Sequence, residues 1–444
     1  MFQVGLLLSG FVQSAQAFCG TYVGSAGADL YSHTSQVAIA RQGNQTTLTL
    51  ANDYEGSQDE FAMVIPVPSV LTAENVEVVE QDVLQRIEIY SSPRLVEYSC
   101  EDFYTPWRPA QFEPSVGCYS AEYANKSWAE DGLGENGEAA DGSVTIESSF
   151  AVGEYTLAVL SAEDGSVLNE WLDDYGFSLG SEAAEVLQDY IEAGSYFLIA
   201  RVKLSSSPAD KTWLSPLQIT YESDVFSLPI KLGTLNSPGV QDLIVYTITD
   251  QYQGHVGIQN YPQVNVETDC MLENVDDFGV AYLNRLEDKF DGQDGGWIRE
   301  HGWGAYHCDP CAEGDAMSDE DVQALGFNGL SMDAYVGRLH MRYTPEAATE
   351  DLMFYHSNIQ DQVQQRYIRY VSEMEYQFPI CDQGFTPEPG NCDALYEKWD
   401  NERKAYARGC TVNKSRPPYG ALAFVAMIWG WCFTRRKSDS VEVV

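Results

Sequence analysis

The sequence predicts an α+β protein with mixed, largely antiparallel sheets and several helices. Two observations lead there. Stretches with period-two alternation and stretches with helical spacing follow one another without the regular strand–helix–strand rhythm of a parallel α/β fold. No repeat at solenoid period runs through the chain. The 444 residues, 44% of them hydrophobic, suffice for one large domain or two to three ordinary ones.

The N-terminus reads as an export signal. Residues 4–12 form a short apolar core and Ala15-Gln16-Ala17 supplies the small residues of a cleavage site, so the mature chain would begin at Phe18. No Lys or Arg precedes the apolar core, which departs from the usual pattern. Phe18, directly before Cys19, is too large for lipoprotein processing.

Residues 36–41 and 46–50 alternate as two strands joined by a Gly43-Asn44 turn. Residues 61–66 give a third strand, closed by Pro66 and Pro68, and 76–79 a fourth. Residues 82–90 turn helical, with Val83, Leu84 and Ile87 on one face, and Pro93 ends the helix. Residues 101–143 break the pattern. Trp107, Phe112, Tyr119 and Trp128 lie among prolines there, and a run of glycines and acids follows. This reads as an irregular acidic insertion, with Cys100 and Cys118 placed to staple its first half. Its acid and glycine spacing does not match a calcium-binding EF-hand loop.

Strands are expected again at 144–150 and 154–160, and helices at 166–174 and 182–193. Ser181 suits the N-cap of the second helix and Gly194 its C-terminal turn. Further strands are expected at 196–204, 216–222, 225–231 and 242–249. A helix is expected at 275–289, and a short one at 319–325 behind Ser318. Strands at 334–343, 352–356 and 364–371 close a body that spans 18–372.

Residues 373–418 read as a Cys-containing helical stalk. Its charged helix separates Cys392 from Cys410 by about 27 Å along a straight axis, too far for a disulfide. Cys381 with either of them is the expected pairing. Residues 419–433 carry no charge, and Arg435-Arg436-Lys437 follows at once. Fifteen residues are short against the roughly 20 of a spanning helix, but Trp429, Trp431 and the basic stop favour insertion. The expectation is a membrane helix at 419–434, a cytoplasmic tail at 435–444 and the body outside. A hydrophobic span with an arginine cluster also resembles bacterial sorting tags that are cut to release a protein at the surface. A buried terminal helix is the remaining reading.

Asp plus Glu number 67 against 25 Lys plus Arg, a net charge of −42. Nonspecific nucleic-acid binding is excluded as the main role, because neutralising phosphates needs a basic surface. An acidic solvated surface is the plain interpretation, compatible with a saline habitat or bound divalent cations. The export signal places nine of ten cysteines in an oxidising compartment and leaves Cys432 in the tail.

Three stretches carry candidate chemistry. The run Trp303-Gly304-Ala305-Tyr306-His307-Cys308-Asp309-Pro310-Cys311 joins a Cys-x-x-Cys to a histidine. Cys308 and Cys311 read first as a short disulfide in an exported chain. The alternatives are a metal site with His307 or His301, and a redox pair. Zinc usually takes four ligands where this motif offers two, and no apolar helical face follows Cys311 as in thiol oxidoreductases. Gly176-Phe177-Ser178-Leu179-Gly180 matches the nucleophile-elbow pattern, but an acidic, helix-like segment precedes it where a buried strand is required. On the strand at 334–343, alternation puts Tyr335, Leu339, Met341 and Tyr343 on one face and Arg338, His340 and Arg342 on the other. That positive stripe reads as ion pairs with carboxylates such as Asp351, or as a site for a small anion, to which Arg366 and Arg369 would add. Asn52-Asp53-Tyr54 at a strand end reads as a turn.

Phe18-Cys19-Gly20-Thr21-Tyr22-Val23, Val64-Ile65-Pro66-Val67-Pro68, Ser92-Pro93-Arg94-Leu95, Phe226-Ser227-Leu228-Pro229, His307-Cys308-Asp309-Pro310-Cys311 and Leu339-His340-Met341-Arg342-Tyr343 stand in an order that resembles a family of exported bacterial proteins, domain of unknown function 2330. The likeness covers about residues 18–372. It implies a secreted or surface-anchored bacterial protein and carries over no catalytic residue. With no complete catalytic set in the chain, the expectation is a noncatalytic, membrane-anchored envelope protein that takes no cofactor. Its partner would be the membrane, with protein partners open. The alternatives are an envelope enzyme with a metal or thiol site at His307, Cys308 and Cys311, and a binder of a small anionic ligand at Arg338, His340 and Arg342.

Overall fold

The computed structural model describes residues 21–23, 35–54, 60–100, 112–114, 144–177, 179–180, 182–203, 212–213, 215–236, 239–307, 316–388, 390–393 and 397. The chain divides into a unit ending at Gly390 and a second from Asn391. The first unit is a mixed α+β fold with large antiparallel sheets and five α-helices among the described residues.

Two sheets face each other. The smaller, antiparallel throughout, runs in the order β1 (Thr21–Val23), β4 (Glu60–Val67), β10 (Tyr196–Lys203), β9 (Tyr155–Ala162), β8 (Val144–Val152). The larger runs β20 (Val363–Gln364), β17 (Gly295–Gly304), β18 (Ala334–Tyr343), β14 (Gln241–Asp250), β2 (Ser35–Gln42), β3 (Gln45–Tyr54), β12 (Leu217–Glu222), β5 (Val76–Val78), with β11 (Thr212–Trp213) added on β3. Its β14–β2 pair is parallel and its other pairs are antiparallel. The β2–β3 hairpin turns through Gly43 at φ 58°, a left-handed conformation that glycine adopts without penalty. A three-stranded sheet of β13 (Ser227–Leu228), β19 (Leu352–His356) and β15 (Val256–Ile258) caps the sandwich. The expected strand at 225–231 shrinks to β13 because Pro229 cannot donate to a ladder.

Alternation sorts the side chains into layers. Met63, Ile65, Leu157, Val159, Leu198 and Ala200 point into the sandwich, against Val37, Ile39, Leu50, Val245, Leu339 and Met341 of the larger sheet. The alternate residues Ala62, Val64, Leu160, Phe197 and Ile199 point outward. They are covered by α2 (Gly165–Asp174), capped by Asp164, and α3 (Ala183–Glu192). Ser181, the expected N-cap of α3, lies outside the described residues, and Glu182 at that position makes no side-chain cap bond. The outer face of the larger sheet is covered by α1 (Gln81–Ser91) and α5 (Asp319–Ala324), the latter held by a Ser318–Asp321 capping box.

A fourth core lies under α4 (Phe278–Phe290), whose N-cap is Asp277. There α4 packs beside β16 (Cys270–Leu272), β21 (Arg366–Arg369), β6 (Arg94–Val96) and β7 (Phe112–Pro114), of which the first three run parallel. The expected strand at 364–371 divides at Gln365, whose N–H donates to Glu300 O at 2.8 Å.

The cysteines correct two expectations. Cys381 is bonded to Cys270, 111 residues earlier, and not to Cys392 or Cys410. Its backbone N–H also donates to Met271 O. Arg285 and Lys289 of α4 pair with Asp382. Residues 373–390, expected to begin a stalk, therefore belong to the body. Cys100 and Cys392 are disulfide-bonded as well. Cys118, Cys410, the export signal, most of the 101–143 insertion and the 419–444 tail lie outside the described residues. Among the described residues no helix is long and apolar enough to cross a membrane.

Candidate functional site

Register builds the site on the helix-covered face of the larger sheet. In β18 that face carries Arg338, His340 and Arg342. Their β14 neighbours are Tyr246 opposite Arg338, Ile244 opposite His340 and Asp242 opposite Arg342. On the other side, β17 pairs Ile298 with His340 and His301 with Arg338. Glu300 is the extra residue of a β-bulge between them, so two consecutive side chains, Glu300 and His301, turn to the same face. Helix α1 adds Glu88, which follows Leu84 and Ile87 on the buried side of the helix, and α4 adds Tyr282.

These groups pair with one another, and of the Glu88 carboxylate only Oε2 takes part, Oε1 being buried without a hydrogen-bond partner among the described residues. Arg338 donates from Nη1 to Glu88 Oε2 at 2.6 Å and from Nε to Glu300 Oε2 at 2.5 Å. Tyr246 O–H and Gln36 Nε2 also donate to Glu88. His340 reaches Glu300 Oε1 from Nδ1 at 2.9 Å and Asp242 Oδ1 from Nε2 at 2.8 Å. Tyr282 O–H donates to Glu300 Oε1 at 2.6 Å, and Arg342 Nη1 donates to Asp242 at 2.9 and 3.1 Å. Burial works against the charges of Glu300, His340 and Arg338, and close opposite charges overcome it. It pushes the Glu300 carboxyl up, but Arg338 and His340 bring it down to about 2. It pulls the His340 imidazole down, but Glu300 and Asp242 raise it to about 9. The Arg338 guanidinium is held well above its ordinary range despite burial. With His340 protonated, three carboxylates (Glu88, Glu300, Asp242) face three cations (Arg338, His340, Arg342), and the set is neutral.

Of the two readings of the basic stripe, the geometry favours ion pairs. Arg338 and His340 are buried and already hold carboxylates of this chain, so an added anion would have to displace them. The partner named from sequence was wrong. Asp351 instead accepts from Tyr190 O–H and from the backbone N–H of Ile230 and Lys231, on the far layer. Arg366 and Arg369 are elsewhere too, paired with Asp269 and Glu97.

The histidines of the Cys-x-x-Cys stretch are in different environments. His301 is fully buried, edge-on to Tyr90 with ring centroids 4.8 Å apart. Its Nδ1 faces Gln364 Oε1 at 2.8 Å, while the Gln364 amide nitrogen donates to Ser92 O. That fixes Nδ1 as the protonated atom. Burial then holds the ring neutral, with its pKa down to about 3. His307 is exposed and lies against Tyr306, the rings tilted by 37° with centroids 3.8 Å apart. Cys308 and Cys311 lie outside the described residues. Among the described residues no group of three or more His, Cys, Asp or Glu is arranged to hold a metal ion. The segment before Gly176 is helix α2, so the Gly176–Gly180 turn joins two helices and lacks the strand a nucleophile elbow needs. Ser178 itself is outside the described residues.

Sequence reasoning found the cations and missed their counter-ions. Glu88, Glu300 and Asp242 are spread over three elements, and the bulge at Glu300 leaves no mark in the alternation. A carboxylate on the apolar stripe of α1, one residue after Ile87, was the available signal.

A family model described as an uncharacterized protein conserved in bacteria, DUF2330, matches residues 13–355. The chain belongs to that family. No curated protein matches it. It is similar to the crystal structure of baculovirus P35 at 9% identity, over 76% of this chain and 96% of that one, with a TM-score of 0.25, a value too low to support any argument.

Proposed function

We propose that this member of the DUF2330 family is an exported, noncatalytic envelope protein, anchored by its 419–434 segment with the α+β body outside the cytoplasm. The observation that carries this reading is the Cys270–Cys381 disulfide, joined by the oxidised state of Cys100 and Cys392. Structural disulfides persist in oxidising compartments and are rare in a reducing cytosol. A self-neutralised charge network supports the noncatalytic part: its acids and bases are spent on one another, as a structural clamp requires and a general acid–base pair does not. The 435–444 tail would lie in the cytoplasm, or be lost if the hydrophobic span acts as a sorting tag.

Membrane fractionation with protease shaving of intact cells tests this. The expected result is a membrane-associated body that external protease reaches, with non-reduced Cys270 and Cys381 resistant to alkylation. A body recovered in the cytosolic fraction with titratable Cys270 and Cys381 would refute it.

A further inference from the structure

At the end of the larger sheet where β2 and β14 finish and β18 begins, a surface cleft of about 520 Å³ opens. That volume lies within the roughly 300–1,000 Å³ of small-ligand sites. Its chemistry is narrow. Four carboxamides (Gln42, Gln251, Asn328, Gln360) and two carboxylates (Asp250, Asp333) line it, and no Lys, Arg or His does. Tyr252 stands beside them 70% exposed, its hydroxyl on Asp250 Oδ2 at 3.3 Å, and Met332 is 57% exposed.

We propose that this cleft binds a neutral oligosaccharide. Each sugar hydroxyl is both donor and acceptor, and the carboxamides of Gln251, Asn328 and Gln360 offer both functions in one plane, that of Gln42 being spent on the Asn328 backbone. A carboxylate accepts from two neighbouring hydroxyls. The exposed ring of Tyr252 presents an apolar face of the kind on which the C–H face of a pyranose stacks, with a polar tip to orient it. Two acids with no cation disfavour phosphorylated, sulfated or nucleic-acid ligands.

The walls are formed in advance, which lowers the ordering cost of binding. Gln42 and Asn328 are locked together by Asn328 N–H donating to Gln42 Oε1 at 2.7 Å. Gln323 Nε2 donates to Gly329 O at 2.9 Å and Ser331 N–H to Asp319 Oδ1 at 2.7 Å, pinning the stretch before β18. Next along the chain from the lining residues Tyr252 and Gln360, Asn358 N–H donates to Gln253 O and His255 N–H to Ile359 O. Gly254 sits there at φ 66°, where an added Cβ would lie 2.1 Å from Ile359 O, so this approach requires glycine.

The experiment is binding of the full chain to an array of neutral and acidic oligosaccharides, followed by calorimetry with the neutral hits and with trilysine, a cationic peptide. Expected are neutral glycan hits that weaken about tenfold in Tyr252→Ala and less than about threefold in Asp333→Asn, which keeps a planar acceptor. Tyr252 is solvent-facing, and an unchanged Tm shows that its variant is folded. No neutral hit, undiminished binding by Tyr252→Ala, or trilysine binding that Asp333→Asn abolishes would each overturn the proposal. The last outcome would make the cleft a site for basic peptides.

Discussion

On its sandwich side the larger sheet presents Val37, Ile39, Leu50, Val245, Leu339 and Met341. On its helix side the alternate residues of the same strands include Gln36, Asp242, Tyr246, Arg338 and His340. Both faces are buried, yet they are stabilised in different ways. The apolar face gains roughly in proportion to area and tolerates exchanges of similar volume. The charged face gains little net energy from its ion pairs, because desolvation offsets attraction, but it penalises any missing partner heavily. It also enforces register. A one-residue slip of β18 would turn Arg338 into the sandwich core and Leu339 onto Glu300, and period two makes that error total.

Removing the central cation separates the two faces most sharply. Arg338→Leu leaves Glu88 buried without its cation and Glu300 with His340 alone, and should cost about 3–5 kcal/mol by urea unfolding. Leu339→Ala, its neighbour on the apolar face, should cost about 2–4 kcal/mol, through lost contacts and a cavity. If Arg338→Leu proves as mild as a surface change, the distinction between the faces collapses.

Acidity sharpens the comparison without mutation. The His340 pKa is raised from 6.5 to about 9 in the folded chain. Its contribution is therefore complete below about pH 6.5 and is lost as pH climbs through 9, a loss of roughly 3 kcal/mol. Glu300 runs the other way. Its pKa is lowered from 4.5 to about 2, so its contribution is present above pH 4.5 and is lost as pH falls through 2. Melting temperatures should fall between pH 6.5 and 9, and His340→Gln should flatten that slope. Leu339→Ala should leave it intact.

The smallest effect comes from an ion cluster whose carboxylate is half exposed. Asp382 pairs with Arg285 and Lys289 while its side chain stays 48% exposed. Asp382→Asn should change stability by less than about 1 kcal/mol. A loss comparable to that of Arg338→Leu would mean that burial does not set the cost.

Much of this architecture was legible in the sequence where local signals and packing agree. The β2–β3 hairpin, α1, β8 to β10, β14, α5 behind Ser318 and the residue assignment of β18 to two faces all follow from alternation, helical spacing and capping. Strand β17 was not legible. Gly295, Gly296, Gly302 and Gly304 weaken its strand signal, Arg299-Glu300-His301 reads as a polar loop, and the bulge breaks the alternation. Glu300, the carboxylate that Arg338 and His340 share, sits on that strand, so missing the strand meant missing their common partner. The Cys270–Cys381 bond was hidden for another reason: it depends on tertiary proximity across 111 residues, which spacing along the chain does not encode.

That bond makes a covalent ring of everything from β16 to Cys381, a ring that includes α4, β17 and β18. A protease that nicks the backbone inside the ring cannot divide the molecule. The two pieces would migrate together until a reductant opens the bond, so a protein clipped in a hostile medium would still arrive as one particle.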